Sequence, residues 1–227
     1  VHLGQPVRRI TQAGDGVVVD ADAVSVRARR VIVALPPTLA GRIDHRPALP
    51  AARDQLTQRV PQGSCIKCLA VYDAPFWRAR GLSGQVVSDQ GPIHVAFDAS
   101  PPSGRPGVLM GFAEGRAARR LTDSGAEARK RAVLACFERD FGPEARDVRH
   151  YVAKAWAEDW WRGAYAGMFP PGAWTSFGHA LRAPIGRVHW AGTETATAWN
   201  GYIEGALESG ERAAAEVATA LGAPRGV

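Results

Sequence analysis

A strand, a glycine turn, an aromatic pair and a long helix follow one another near the C-terminal end of this chain. No other feature constrains its fold as much. Arg187-Val188-His189-Trp190-Ala191-Gly192 reads as a short strand. It leads through Thr193-Glu194-Thr195-Ala196 to Trp199-Asn200-Gly201-Tyr202-Ile203-Glu204. From about Gly201 to Leu221 the spacing predicts a helix, with Ile203, Leu207, Gly210, Ala214, Val217 and Leu221 along one stripe. Gly205, Ala206 and Gly210 are small enough to let that helix approach a neighbour closely. The arrangement aims backbone N–H groups and an aromatic ring at one point. That suits a flat, electron-accepting cofactor better than a phosphate.

The chain opens rich in β-structure. Val1-His2-Leu3-Gly4-Gln5-Pro6-Val7 reads as strand, and Gly16–Asp20 with Val24–Ala28 reads as a hairpin turning near Asp20-Ala21-Asp22. Val31-Ile32-Val33-Ala34-Leu35 is a nearly continuous apolar run, as expected of a strand covered on both faces, and Pro36-Pro37 stops it. Strand-like stretches follow around 65–72, 84–88, 93–97 and 107–112, separated by Pro/Gly turns. A helix comes next. Ser124 and Glu127 predict a capping box, Ala132, Val133, Cys136 and Phe137 recur at helical spacing, and Gly142-Pro143 ends it.

Composition is that of a globular protein: 46% hydrophobic and 22% charged over 227 residues. No apolar run approaches the roughly 20 residues of a membrane helix, so no membrane partner is expected. The net charge of +6 does not signal nucleic acid. Apart from Arg27-Arg29-Arg30 and Arg116-Arg119-Arg120 the arginines are interleaved with acids, and no recognised binding module accompanies them. Three cysteines are too few for a disulfide framework and fit a reducing, cytoplasmic setting. Cys65 and Cys68 stand three apart in a strand, so they face opposite sides and cannot share a metal. They read as ordinary buried thiols. The start lacks the basic-then-apolar pattern of a signal peptide and falls inside apparent secondary structure, which predicts a piece of a longer protein.

Several stretches can now be set side by side. They are Ile32–Leu39, Val60-Pro61-Gln62-Gly63-Ser64-Cys65-Ile66-Lys67-Cys68, Pro75-Phe76-Trp77-Arg78, Met110-Gly111-Phe112, Gly163-Ala164-Tyr165, Phe169-Pro170-Pro171-Gly172 and the region from Gly192 to Tyr202. Their order and spacing, over nearly the whole chain, closely resemble the C-terminal half of the flavin-dependent monoamine oxidases and their bacterial relatives. The resemblance implies an α/β fold. It would consist of an incomplete, Rossmann-like FAD-binding domain without its N-terminal G-x-G-x-x-G unit, and an α+β, mixed-sheet substrate domain. Residues 1–40 and 156–222 would belong to the FAD-binding domain, 41–155 to the substrate domain, and 223–227 to a tail.

The same resemblance implies roles for particular residues. Lys67 matches the lysine that holds a water against the flavin and assists reoxidation by O₂. The chain otherwise prefers arginine, Lys130 and Lys154 being its only other lysines, and a compact ammonium grips one water better than a guanidinium fork does. Tyr165 and Tyr202 match the two aromatics that flank the substrate amine. Such rings form an apolar slot with electron-rich faces. The amides around Gly201, Tyr202 and Ile203 open the last helix, and the partial positive charge of a helix N-terminus would favour electron uptake by the cofactor. Val7 matches an adenine-contacting strand. Ala34, Pro36, Gly192, Thr193 and Glu194 would line the cofactor, with Trp156, Trp161 and Trp199 as aromatics packed against it.

Two departures qualify the match. The linking cysteine of the mitochondrial enzymes is replaced by Ala164, so FAD should be bound noncovalently. The stretch from Trp156 to Tyr165 is also one residue shorter, which bears on Trp160 and Trp161. In addition, no G-x-G-x-x-G stands between a strand and a helix, and the nearest lookalike, Gly14-Asp15-Gly16, leads into a strand. The expectation is therefore an FAD-dependent amine oxidase that converts amine, O₂ and H₂O to aldehyde, ammonia and H₂O₂. This chain would be its C-terminal portion or subunit, inactive alone and partnered by an N-terminal FAD-binding portion. A homodimer is a further candidate assembly. The alternatives are a polyamine or L-amino-acid oxidase of the same superfamily, or a noncatalytic homologue that serves as an interaction scaffold.

Overall fold

The computed structural model describes residues 1–158 and 167–222. The chain divides into two compact units, Val1–Gln62 with Ala166–Val227, and Gly63–Tyr165. In chain order, the first unit contributes β1 (Val7–Ala13), β2 (Gly16–Ala21), β3 (Ser25–Ala28), β4 (Val31–Val33), α1 (Pro37–Ala40), β5 (Asp44–Arg46) and α2 (Ala51–Arg59). The second unit contains β6 (Cys65–Tyr72), α3 (Phe76–Ala79), β7 (Val86–Val87), β8 (Val95–Asp98), β9 (Gly107–Glu114), α4 (Gly115–Asp123), α5 (Ala126–Phe141) and β10 (His150–Ala155). The chain then returns to the first unit with α6 (Ala173–Phe177), β11 (Val188–Trp190) and α7 (Ile203–Ala220).

The β-branched run Val17-Val18-Val19 favours strand in β2, which pairs antiparallel with both β1 and β3. β5 adds to the free edge of β1 in parallel. Gly14, at φ 57°, makes the tight turn between β1 and β2, so Gly14-Asp15-Gly16 is a hairpin turn. β4 pairs in parallel with β11 across a sequence gap of more than 150 residues. Ile10, Val17, Val33, Ile43, Val188 and Trp190 form the buried cluster between these elements. Arg53 of α2 places its guanidinium carbon over the Trp190 ring, 3.6 Å from its centre, and donates to the carbonyls of Ala180 and Leu181. Burial lowers its pKa to about 10, and the ring face and carbonyl dipoles stand in for a carboxylate partner.

The second unit is built on a five-stranded sheet in the order β10-β6-β9-β8-β7. Ile66, Cys68, Ala70 and Tyr72 point to one face and pack with Leu109, Trp77 and the α5 residues Val133, Cys136 and Phe137. Each large apolar side chain buried this way contributes about 1.5–3 kcal/mol. Gly111 is required for that packing. A Cβ there would lie 2.9 Å from Ile93 and 3.1 Å from the Phe137 ring. No helix among the described residues is long and apolar enough to cross a membrane.

Several expectations need correction. Residues 1–6 are not strand: Gly4 turns left-handed at φ 66° and Pro6 has no N–H, so β1 begins at Val7. The apolar run from Val31 forms a strand of only three residues, with Ile32 39% exposed and Leu35 38% exposed, so it is not covered on both faces within this chain. Ser124 does not cap α5. It ends α4, its hydroxyl donates to the Leu121 carbonyl, and Gly125 at φ 79° starts the next helix. The buried side of α7 is Gly205, Ser209 and Ala213, while Ile203 and Leu207 on the expected stripe are exposed. Every pairing in the second unit's sheet is antiparallel among the described residues, and the mixed pairing lies in the first unit. Residues 41–62 pack with the first unit, so the second begins at Gly63.

Candidate functional site

β11 delivers the chain to the candidate loop, and Ala191 N–H donates to the Val33 carbonyl at 2.9 Å. Gly192 then takes φ 109°, a conformation that favours glycine, and its N–H donates to the Ser209 hydroxyl of α7. A 3-10 turn over Thr193–Thr195 follows. Thr193 ties the two ends of the loop together. Its hydroxyl accepts from Gly201 N–H at 2.7 Å and donates to the Tyr202 carbonyl at 2.9 Å. Asn200 donates to the Glu194 carbonyl, and the buried Glu194 carboxylate accepts from Gly167 N–H at 3.0 Å.

Between these ties stand two aromatic rings. Trp199 and Tyr202 meet edge to face, with centroids 6.1 Å apart and planes at 87°, and each is 66% exposed. Trp199 has φ 55°, the left-handed region that non-glycine residues enter at a cost. Tyr202 N–H donates to its carbonyl at 3.0 Å and closes the turn. Immediately beyond, α7 begins with no side-chain cap, so the amides of its first turn are left for another acceptor.

Half-buried charges fasten α7 to β11. Arg212 donates to the Trp190 carbonyl and to the Thr195 hydroxyl and pairs with Glu216. The other Glu216 oxygen lies 3.1 Å from His189 Nδ1, while His189 Nε2 faces the Arg30 guanidinium at 3.4 Å. A guanidinium only donates, so Nε2 accepts and the proton sits on Nδ1.

In the second unit, Lys67 projects from the half-buried face of β6, opposite to Cys68. Phe112 is its cross-strand neighbour on β9, and its ammonium lies 5.9 Å from that ring. Directly across on β10 is Lys154, whose ammonium lies 5.7 Å from the Trp156 ring. Like charges placed opposite one another weaken a sheet.

The candidate residues thus fall in both units. Ala34, Pro36, Gly192, Thr193, Glu194, Trp199, Gly201, Tyr202 and Ile203 belong to the first, and hydrogen bonds join Thr193, Gly201 and Tyr202 into one loop. Ala34 leaves the end of β4, and Val7 packs on the first unit's core from β1. Lys67 and Trp156 belong to the second unit. Tyr165, Trp161, Trp160 and Ala164 lie outside the described residues. Sequence reasoning missed Arg182 and Glu208. Arg182 donates to the carbonyls of Thr195 and Ala196, and Glu208 accepts from the Thr197 N–H and hydroxyl. Those bonds from Thr197 hold the Glu208 carboxyl below its usual pKa.

A strand-ending glycine, a stapled aromatic loop and a helix without a side-chain cap thus follow one another in the first unit. The chain is a member of the flavin containing amine oxidoreductase family, whose model matches residues 1–218. It is 46% identical over 217 residues to the probable flavin-containing monoamine oxidase A of Dictyostelium discoideum, covering 95% of this chain and 48% of that protein. It is 44% identical over 215 residues to the L-amino acid dehydrogenase of Synechocystis, covering 94% of this chain and 46% of that protein. Among solved structures it superposes on putrescine oxidase bound to putrescine with a TM-score of 0.91 and 34% identity, covering 96% of this chain and 49% of that one. The chain spans about half the length of the relatives it matches.

Proposed function

We propose that this chain forms the substrate-facing and cofactor-facing part of an FAD-dependent amine oxidase, with the reaction R-CH₂-NH₂ + O₂ + H₂O → R-CHO + NH₃ + H₂O₂. One observation carries the reading: an exposed, stapled aromatic pair stands before an uncapped helix in a member of this family. The residues present fit a flavin. The first turn of α7 has no side-chain cap, so its amides are left for the acceptor atoms of such a ring. Ala34, Pro36, Gly192, Thr193, Glu194, Trp199, Gly201, Tyr202 and Ile203 would hold that ring, with Val7 toward the nucleotide and Trp156 and Trp161 as packing aromatics. Ala164 stands where a linking cysteine would be, so the attachment is noncovalent. The first unit would serve the cofactor and Gly63–Tyr165 the substrate.

When bound, FAD supplies a hydride acceptor that O₂ restores. The chain's own residues do the rest. Tyr202, with Tyr165, offers ring faces that orient the amine nitrogen and exclude water, which disfavours the solvated ammonium. Lys67 donates from its ammonium to a water and so assists the reaction with O₂. The amides of the first α7 turn favour negative charge beside them. The pyrophosphate needs a strand–glycine-rich turn–helix that these 227 residues lack, and we assign it to an N-terminal FAD-binding portion. The buried free thiols at 65, 68 and 136 fit a reducing, cytoplasmic compartment.

A second reading rests on the Synechocystis relative, named an L-amino acid dehydrogenase. It takes an L-amino acid as the amine and an acceptor other than O₂. The test is the visible spectrum of the protein, alone and with an N-terminal FAD-binding portion, followed by peroxide release on benzylamine, putrescine and L-amino acids. Yellow protein with acid-releasable flavin and peroxide from an amine is the expected result. Flavin reduction by an L-amino acid without peroxide selects the second reading, and colourless protein under both conditions overturns both.

A further inference from the structure

The loop that carries Trp199 and Tyr202 does not hold its shape by local bonds alone. From Thr195 to Trp199 it is gripped by residues outside it. The two arms of the Arg182 guanidinium donate to consecutive carbonyls, Nε to Thr195 at 2.7 Å and Nη2 to Ala196 at 2.8 Å. One carboxylate of α7, Glu208, takes both donors of the next residue, the Thr197 N–H at 3.0 Å and its hydroxyl at 2.9 Å. Gly205 leaves the room into which the Trp199 carbonyl packs. A Cβ there would collide with that carbonyl and come within 3.0 Å of the Ala196 side chain.

These grips explain how Trp199 keeps a left-handed φ of 55° while its ring stays 66% exposed. A left-handed non-glycine residue persists only where its surroundings over-determine it. Here the surroundings are a planar fork on two carbonyls, a bidentate acceptor on the next residue and a helix face without a side chain. No packing over the rings is needed.

We propose that Arg182, Gly205 and Glu208 are positioning residues that preset the Trp199–Tyr202 pair for the incoming amine and its cofactor; the role for the amine rests on the function proposed above. The contacts of all three run to loop backbone, the Thr197 hydroxyl and the Ala196 side chain. They act through the loop backbone, so losing one frees the aromatic pair while the fold remains.

Chymotrypsin reads this directly, because it cuts after exposed aromatic residues when the backbone can open locally. In the native 227-residue chain, cutting after Trp199 and Tyr202 should be slow in spite of their exposure. Glu208→Ala and Arg182→Ala should each speed it about tenfold, as expected for loss of hydrogen bonds to a charged group. Glu208→Gln, which keeps one acceptor for the Thr197 N–H, should restore part of the protection. Gly205→Ala should match the alanine variants. Melting temperature and cutting elsewhere in the chain serve as controls. Wild-type cutting rates after residues 199 and 202 in the variants would overturn the proposal, as would equal acceleration at every site with a lowered Tm. Amine turnover separates the two ideas. Where the flavin-loaded wild type releases peroxide, these variants should lose kcat/KM for amine and keep the rate of reoxidation by O₂. No peroxide from the wild type on any amine would sink the functional reading and leave the clamp decided by the cutting rates.

Discussion

Cys65 and Cys68 share a strand but not a face, and both are buried. Burial pushes the Cys65 thiol up to about 11, with Glu114 adding to the effect, and burial also raises Cys68. Only the thiolate is a strong nucleophile, so neither cysteine should react with Ellman's reagent at pH 8 in the native protein. Both should react once the chain is unfolded in guanidinium. A thiol from either position released under native conditions would contradict this account. At this scale the sequence was informative wherever the signal is a residue type with one use. Gly192, at φ 109°, and the ordered run Trp199-Asn200-Gly201-Tyr202 are of that kind. Arg182 and Glu208 were not legible. Their partners are backbone groups and a hydroxyl more than ten residues away, and nothing in the sequence marks which arginine or glutamate will reach them.

Elements were legible where periodicity decides them and illegible where a neighbour does. β6 and α5 follow their spacing because one face of each enters the same core. Ser124 misled because a residue between two helices can serve either end, and here its hydroxyl closes α4. The apolar stripe of α7 misled because that helix approaches β11 through small residues, with Gly205, Ser209 and Ala213 on the contact side. β10 went unread, since its Lys154 and His150 hide a strand that only pairing with β6 reveals. The join between β8 and α3 offers a test at this scale. Burial alone would raise Asp98, but bonds from Ser100, Trp77 and Arg78 outweigh it and bring its pKa to about 2. A carboxylate lowered on folding stabilises above its unfolded value, near 3.8, and that stability is lost as pH falls toward 2. Asp98→Asn should therefore cost about 1–2 kcal/mol at pH 7 and flatten the stability curve between pH 4 and pH 2. Urea unfolding across that range checks it, and an unchanged acid slope in the variant would contradict the assignment.

At the scale of the whole molecule, the division into two units explains what the sequence could and could not place. The first unit is assembled from both ends of the chain, and the parallel pairing of β4 with β11 joins segments more than 150 residues apart. Local patterns signalled β4 and β11 but not their pairing. The chain's membership of the flavin containing amine oxidoreductase family rests on a match over residues 1–218, which takes in segments of both units. Lys67 is the residue on which the proposed function is most exposed. It is one of three lysines, and it stands directly across from Lys154 on β10. The decisive measurement is stopped-flow kinetics of the flavin-loaded Lys67→Met variant, with reduction by amine followed without oxygen and reoxidation followed with it. Reoxidation should slow by ~100-fold or more, the scale of a lost proton-transfer partner, while reduction stays within about threefold of wild type. Equal slowing of both half-reactions, or of neither, would contradict the account.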